Sequence, residues 1–254
     1  MLTLLSPAKT LDERPADTDF YSMPRLLDET DKLAHLLKKK KPEQIKSLMK
    51  VSDKLAMLNY ERFQNFSLPF SLESTKQALF MFKGDVYIGL EAQKMEKSEV
   101  DFAQDHLRIL SGFYGLLRPL DLMFPYRLEM GTKLSVGQKK NLYEFWGDKI
   151  TNIVNEDMAA SGSNILLNLA SREYFKAINT KKIAGELVNV HFKENRNGQY
   201  KVIAFNAKKA RGAMARQVIK YHIQDEEGLK SLLVNNYIYN EKMSQPGELV
   251  FTTD

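Results

Sequence analysis

Five basic side chains and no carboxylate fall within Asn206-Ala-Lys-Lys-Ala-Arg-Gly-Ala-Met-Ala-Arg-Gln-Val-Ile-Lys220: Lys208, Lys209, Arg211, Arg216 and Lys220. Cations without local acids are available to phosphate, so this run is the first candidate for chemistry. On a helical wheel Lys209, Arg216 and Lys220 fall together, and Ala210, Met214, Val218 and Tyr221 fall opposite. Such a helix docks by its apolar stripe and shows a basic stripe outward. The bland alternative is a solvated face that neutralises acids from elsewhere. Gly212 costs the helix about 1 kcal/mol relative to Ala. It either permits a close approach of backbone or ligand, or it is incidental.

Three further segments carry groups suited to an anion. Leu107-Arg-Ile-Leu-Ser-Gly-Phe-Tyr-Gly-Leu-Leu-Arg-Pro-Leu-Asp121 places two glycines in a turn, Ser111-Gly112-Phe113-Tyr114-Gly115. Read with helices on both sides, the turn would offer free backbone N–H groups to a phosphate, with Arg118, Tyr126 and Arg127 adding side-chain contacts. Ordinary turn chemistry explains the same glycines. Ser6-Pro-Ala-Lys9-Thr10 follows a short apolar strand and is a candidate anion loop, although the glycines of a Walker motif are missing. Phe82-Lys83-Gly84-Asp85-Val86-Tyr87 sets Lys83 among aromatic residues, which suits either phosphate contact and stacking or a core strand and turn.

Composition narrows the classes. The chain has 254 residues, enough for one large domain or two packed ones, and no cysteine, which excludes disulfides, thiolate metal sites and thiol nucleophiles. Its four histidines, His35, His106, His191 and His222, show no ligand spacing. No metal or cofactor is expected, and no catalytic nucleophile or dinucleotide motif is present. The formal charge of +5 permits nucleic-acid binding without demanding it. The start of the chain lacks a basic n-region and a long apolar run, and no stretch is apolar enough to span a bilayer. A cytoplasmic protein, off the membrane and monomeric by default, is the expectation.

The elements that must position these residues follow from periodicity. Helices are expected over 24–41, 42–49, 52–66, 98–110, 141–160, 171–175, 207–223 and 226–233, with strands at 2–5, 164–169, 184–193, 199–206 and 248–252. Asn197-Gly198 marks a hairpin. Strands and helices alternate without a regular beat, so the expected fold is mixed α/β, one compact unit over residues 1–254.

Taken in order, six segments resemble the YaaA family of bacterial peroxide-stress proteins. They are Leu5-Ser-Pro-Ala-Lys-Thr-Leu11, Phe82-Lys-Gly-Asp-Val-Tyr-Ile-Gly-Leu90, Leu110-Ser-Gly-Phe-Tyr-Gly-Leu-Leu-Arg-Pro-Leu-Asp121, Pro125-Tyr-Arg-Leu-Glu-Met-Gly131, Asn168-Leu-Ala-Ser-Arg-Glu-Tyr-Phe175 and Ala207-Lys-Lys-Ala-Arg-Gly212. The resemblance implies an unusual α/β fold with a basic cleft and binding of DNA, including duplex with distorted or unpaired regions. It also implies a helix-hairpin-helix-like element and protection from hydrogen peroxide by limiting free iron. Carried onto this chain, the hairpin element is Ser111 to Gly115. The cleft wall is Lys9, Lys83, Arg118, Arg127, Lys208, Lys209 and Arg211.

Two other classes stay open. The same basic loops would serve an enzyme acting on a phosphorylated or nucleotide-like small molecule, and pocket depth separates that reading from a DNA groove. Direct iron binding would need a carboxylate-rich site and ranks last.

Overall fold

The computed structural model describes residues 1–254. Its centre is an eight-stranded sheet built on Leu2–Leu5, a strand buried at every position. Across the sheet the order is Ile238–Tyr239, Glu248–Thr253, Glu186–Arg196, Ile165–Asn168, Leu2–Leu5, Leu107–Ser111 and Gly115–Leu117, with Gln199–Lys201 paired to the end of Glu186–Arg196. The five inner strands are parallel, and the pairings at Ile238–Tyr239, Gly115–Leu117 and Gln199–Lys201 are antiparallel. The mixed α/β expectation holds, and the inner parallel ladder is a regularity that the irregular spacing of elements conceals. No helix is long and apolar enough to cross a membrane.

From Leu2–Leu5 the chain first joins the sheet on one side, at Leu107–Ser111, and later on the other, at Ile165–Asn168. The strand order therefore switches at Leu2–Leu5. A crevice forms outside the carboxyl ends of strands at such a point. The loop that leaves this end begins at Ser6.

Most expected elements are present within a few residues. Ser52 caps the helix Asp53–Asn65 through a 3.4 Å bond from the Leu55 N–H. Asn197 and Gly198, with φ of 56° and 79°, turn the hairpin between Arg196 and Gln199. The helix expected over 141–160 is two helices, Leu142–Trp146 and Lys149–Ala160, broken where Gly147 takes a positive φ. The strand expected over 199–206 stops at Lys201, and the helix expected from 207 begins earlier, as Ala204–Lys220.

One hydrophobic cluster of 67 buried residues runs through the chain. It includes Met1, Met49, Met81, Met123, Met130, Met158 and Met214, seven of the 11 methionines. Charged groups are also built into the interior, and one cluster is centred on Asp157. Arg108, on a central strand, meets Asp157 at 2.6 Å, and Arg25 holds the same carboxylate with bonds of 2.7 and 2.6 Å. Burial opposes the charge of Asp157, but the two guanidiniums outweigh it and hold its pKa below the usual carboxylate value.

Two stability tests follow. A Cβ at Gly212 would lie 1.7 Å from the Val86 carbonyl oxygen, so Gly212→Ala should lower unfolding free energy by about 1–3 kcal/mol in urea titrations despite the better helix propensity of Ala. Asp157→Asn leaves two guanidiniums unanswered and should cost about 3–5 kcal/mol at neutral pH. Because the folded pKa is depressed, the wild-type advantage is full above the unfolded carboxylate value and is lost as pH falls through the folded one. Urea midpoints measured down the acid range should therefore converge.

Candidate functional site

At the switch point two serines join the loops. The Ser171 N–H donates to Ser6 Oγ at 2.8 Å, and the two hydroxyls lie 3.3 Å apart. Beside them the buried Tyr87 hydroxyl donates to the Ser6 carbonyl at 3.1 Å. The Ser6–Thr10 loop then runs against residues 82–84. Thr10 pairs with Lys83 in a short antiparallel bridge, and a Cβ on Gly84 would sit 3.2 Å from Ala8 Cβ. Two segments singled out separately in the sequence thus form one wall, with Lys9 and Lys83 both exposed on it.

The long basic helix Ala204–Lys220 is drawn to this wall by the helix Asp85–Leu90. Their backbones touch. A Cβ on Gly89 would meet the Lys209 carbonyl oxygen at 2.1 Å, and one on Gly212 would meet Val86. Gly212 is therefore a backbone-approach glycine, not an incidental one. The close packing brings Lys208 to 3.9 Å from Asp85 and lays the Lys209 backbone against the same helix. Glu129 adds a third side: it lies 3.3 Å from Lys9 and 3.0 Å from Arg127.

Pairing separates the cations of this region. Lys9 and Arg127 share Glu129, and Lys208 has Asp85 at long range. Lys83, Lys209 and Arg211 make no ion pair, although Lys209 rests its ammonium 4.2 Å from the Phe205 ring centroid. Arg211 stands apart. Its Nε is buried without a hydrogen-bond partner, and burial pulls its pKa below the ordinary guanidinium value. A guanidinium stays charged nonetheless, so Arg211 is a largely buried cation with no carboxylate partner. The buried Arg108 and the partly buried Arg118 and Arg216 all have carboxylates.

Two expected members of the site are used elsewhere. Arg216 makes a two-pronged pair with Glu99, at 2.6 and 2.9 Å, and also reaches the Lys94 carbonyl. It clamps the helix Lys97–His106 to the basic helix and is no part of an outward stripe. Tyr221, assigned to the apolar stripe, is exposed, and the buried face of the helix is Ala207, Ala210, Gly212, Ala213, Met214, Ala215, Val218 and Ile219. Arg118 binds the buried Asp121 and the Met23 carbonyl, fastening the chain near residue 22.

The helix-hairpin-helix expectation is corrected outright. The helix ends at His106, and Leu107–Ser111 and Gly115–Leu117 are paired strands, so Ser111 to Gly115 is a β-hairpin turn. Two of its backbone donors are spent internally. Ser111 Oγ accepts from the N–H of Phe113 and of Tyr114, at 3.2 and 2.8 Å. Every residue of the turn is buried. A Cβ on Gly112 would meet the Leu128 carbonyl oxygen at 2.2 Å, and Gly115 takes a φ of 71° against Trp146. The apolar run Leu107, Ile109 and Leu110 fits a helix or a buried strand equally; tertiary pairing decides for the strand.

Tyr126 and Tyr114 are likewise core residues. Tyr126 shares a 2.6 Å bond with Ser111, and the Tyr114 hydroxyl is tied to the Phe124 backbone. Burial pushes the pKa values of Tyr87, Tyr114, Tyr126 and Tyr174 well above the usual phenol value, so all four are neutral hydrogen-bonding groups at physiological pH. Glu129 and Phe205 are two neighbours of these cations that sequence reasoning misses. Glu129 is recoverable as the only acid in the Pro125-to-Gly131 segment, whereas Phe205 falls inside an expected strand and carries no signal.

Two cavities of about 860 and 360 Å3 lie across residues 12–20 and around residues 61–76, and none of Lys9, Lys83, Lys208, Lys209 or Arg211 lines either. The basic residues thus cover a surface apart from both.

Fold and site together define an α/β protein with a concentration of cations at the carboxyl end of a mainly parallel sheet. A family model described as peroxide stress protein YaaA matches residues 1–243, and the chain belongs to that family. It is 49% identical over 252 residues to a UPF0246 protein of Alteromonas mediterranea, and 50% identical over 252 residues to one of Neisseria meningitidis serogroup B. Each match covers 99% of this chain and 97% of the relative.

The unpaired guanidinium gives the site a test of its own. Arg211→Met keeps most of the volume and removes the uncompensated charge. It should raise unfolding free energy without ligand by about 1 kcal/mol, or roughly 2–4 °C in melting temperature. Inorganic phosphate should raise the wild-type melting temperature, and Arg211→Met should abolish that shift. A melting temperature below wild type would show that Arg211 already has the partner it needs.

Proposed function

We propose that this chain is a DNA-binding protein of the peroxide stress response. It holds duplex or distorted DNA by the phosphate backbone, through the surface that carries Lys9, Lys83, Lys208, Lys209 and Arg211. The observation that carries the reading is Arg211, a largely buried guanidinium with no carboxylate, together with Lys83 and Lys209 on neighbouring segments, which have none either. Guanidinium and phosphate pair by charge-assisted hydrogen bonds, and several such pairs supply sequence-independent affinity. Nothing in this surface is specialised to read base edges, so shape and backbone set the preference. The family description supports the setting in peroxide stress. Its task there is to limit iron-driven damage to DNA, a part of the proposal that rests on the family resemblance.

A second reading has an observation of its own. The site lies outside the carboxyl end of Leu2–Leu5, at the strand-order switch where open α/β sheets place small ligands. An enzyme acting on a phosphorylated or nucleotide-like small molecule would use the same cations. The DNA reading is preferred because the residues lie along a surface formed by several segments of the chain.

Fluorescence anisotropy of labelled duplex across a salt series distinguishes the two. Wild type should bind at low salt and weaken steeply as salt rises. Lys208→Glu with Lys209→Glu should bind at least about tenfold more weakly, with the log–log salt slope reduced by about one for each phosphate that is no longer neutralised. Unchanged affinity and slope would remove both lysines from the site. Saturable binding of a mononucleotide with no binding of DNA would transfer the site to the second reading.

A further inference from the structure

Phe205 is an apolar side chain that the fold does not use. It lies in the first turn of Ala204–Lys220 with 51% of its surface exposed. It is absent from the hydrophobic cluster and from the residues packed against it, and no other aromatic ring meets it. Its one specific contact is the Lys209 ammonium, 4.2 Å from the ring centroid. The turn that presents it is fixed, because the next residue, Asn206, donates to the Glu194 carboxylate at 2.6 Å. Val202, also exposed, precedes it, and Lys201, Lys208 and Lys209 flank it in sequence.

An exposed phenyl ring on an acid-free basic helix fits one kind of occupant. The lysines favour a polyanion, and the ring favours a flat apolar face carried by that polyanion. A single-stranded polynucleotide supplies both in a repeating unit, since successive bases stack on aromatic side chains while cations track the backbone. A paired duplex keeps its base faces covered and offers only phosphate. An acidic peptide offers charge without a flat face at each unit.

We infer that Phe205 is the base-stacking platform of this surface, taking an unpaired nucleobase on its ring while Lys208 and Lys209 hold the flanking phosphates. The inference rests on the DNA-binding reading and deepens it, because it assigns the discrimination between paired and unpaired DNA to one side chain. Lys209 has two roles in it. In the free protein its ammonium covers the ring, an interaction that is weak at an exposed position. When a base arrives the ammonium gives up the ring for a phosphate, so the exchange replaces one weak interaction with two stronger ones.

The test compares three probes of equal length by fluorescence anisotropy at one salt concentration: an oligo-dT strand, an abasic strand with the same phosphates and no bases, and a blunt duplex. Wild type should bind oligo-dT roughly tenfold more tightly than the abasic strand, the effect expected of one base–aromatic stack. Phe205→Ala should bind oligo-dT and the abasic strand alike and leave duplex affinity at the wild-type value, and Phe205→Trp should restore the difference. Because Phe205 lies outside the core, thermal melting should be unchanged in both variants and serves as the check on folding. If wild type binds all three probes but does not favour bases, or if Phe205→Ala weakens all three equally, the stacking role is wrong and the DNA reading stands. If wild type binds none of them, the DNA reading itself fails and the stacking role falls with it.

Discussion

Two helices meet in this protein with nothing between them but backbone. Gly89 and Gly212 let Asp85–Leu90 lie directly on Ala204–Lys220, closer than any side chain allows. One of these helices begins next to Lys83, and the other carries Lys208, Lys209 and Arg211. Their separation fixes the distance between the two halves of the basic surface. The short helix is anchored in turn to the sheet, through the Tyr87 hydroxyl on the Ser6 carbonyl and the pairing of Lys83 with Thr10. A single close approach therefore sets the position of the long helix relative to the switch-point loop.

The arginines divide by what they touch. Arg108 and Arg25 converge on Asp157, Arg118 on Asp121 and Arg216 on Glu99, each joining elements far apart in the chain or closing a tight local turn. These pairs give direction to the packing of an otherwise apolar core, and taking away one partner would strand the other. Arg211 breaks the pattern. It is shielded like a structural arginine and unpaired like a surface one. A side chain kept in that state carries the cost of burial without the ion pair that offsets it in the others.

Much of the fold is legible in the sequence because local signals are strong. Ser52 announces a helix, Asn197-Gly198 a hairpin, and the all-apolar Leu2–Leu5 a buried strand. The site is legible in part. Its basic segments stand out by composition, and the fold brings Lys9, Lys83, Lys208 and Lys209 into neighbouring loops and helices. What misleads is the residue type without its partner. Arg118 and Arg216 look like Arg211 in a sequence, and only the positions of Asp121 and Glu99 show them to be engaged. The turn at Ser111 misleads for another reason: two glycines near apolar residues suit a turn between helices or between strands, and the choice is made by long-range pairing with Leu2–Leu5. Phe205 is invisible at that level because exposure is a property of the finished fold.

The distribution of sulfur has a consequence of its own. The chain contains no thiol, and seven of its methionines lie inside the core. Hydrogen peroxide oxidises accessible sulfur first, thiolates through sulfenic acid and thioethers to sulfoxide. One way for a member of a peroxide-stress family to register the oxidant is on its own side chains. This one offers no cysteine for such a switch, and sulfoxidation of its buried thioethers would require the fold to open. The exposed Met23 and Met57 are the thioethers that peroxide reaches without unfolding, so oxidation falls first on surface sulfur while the core stays sheltered.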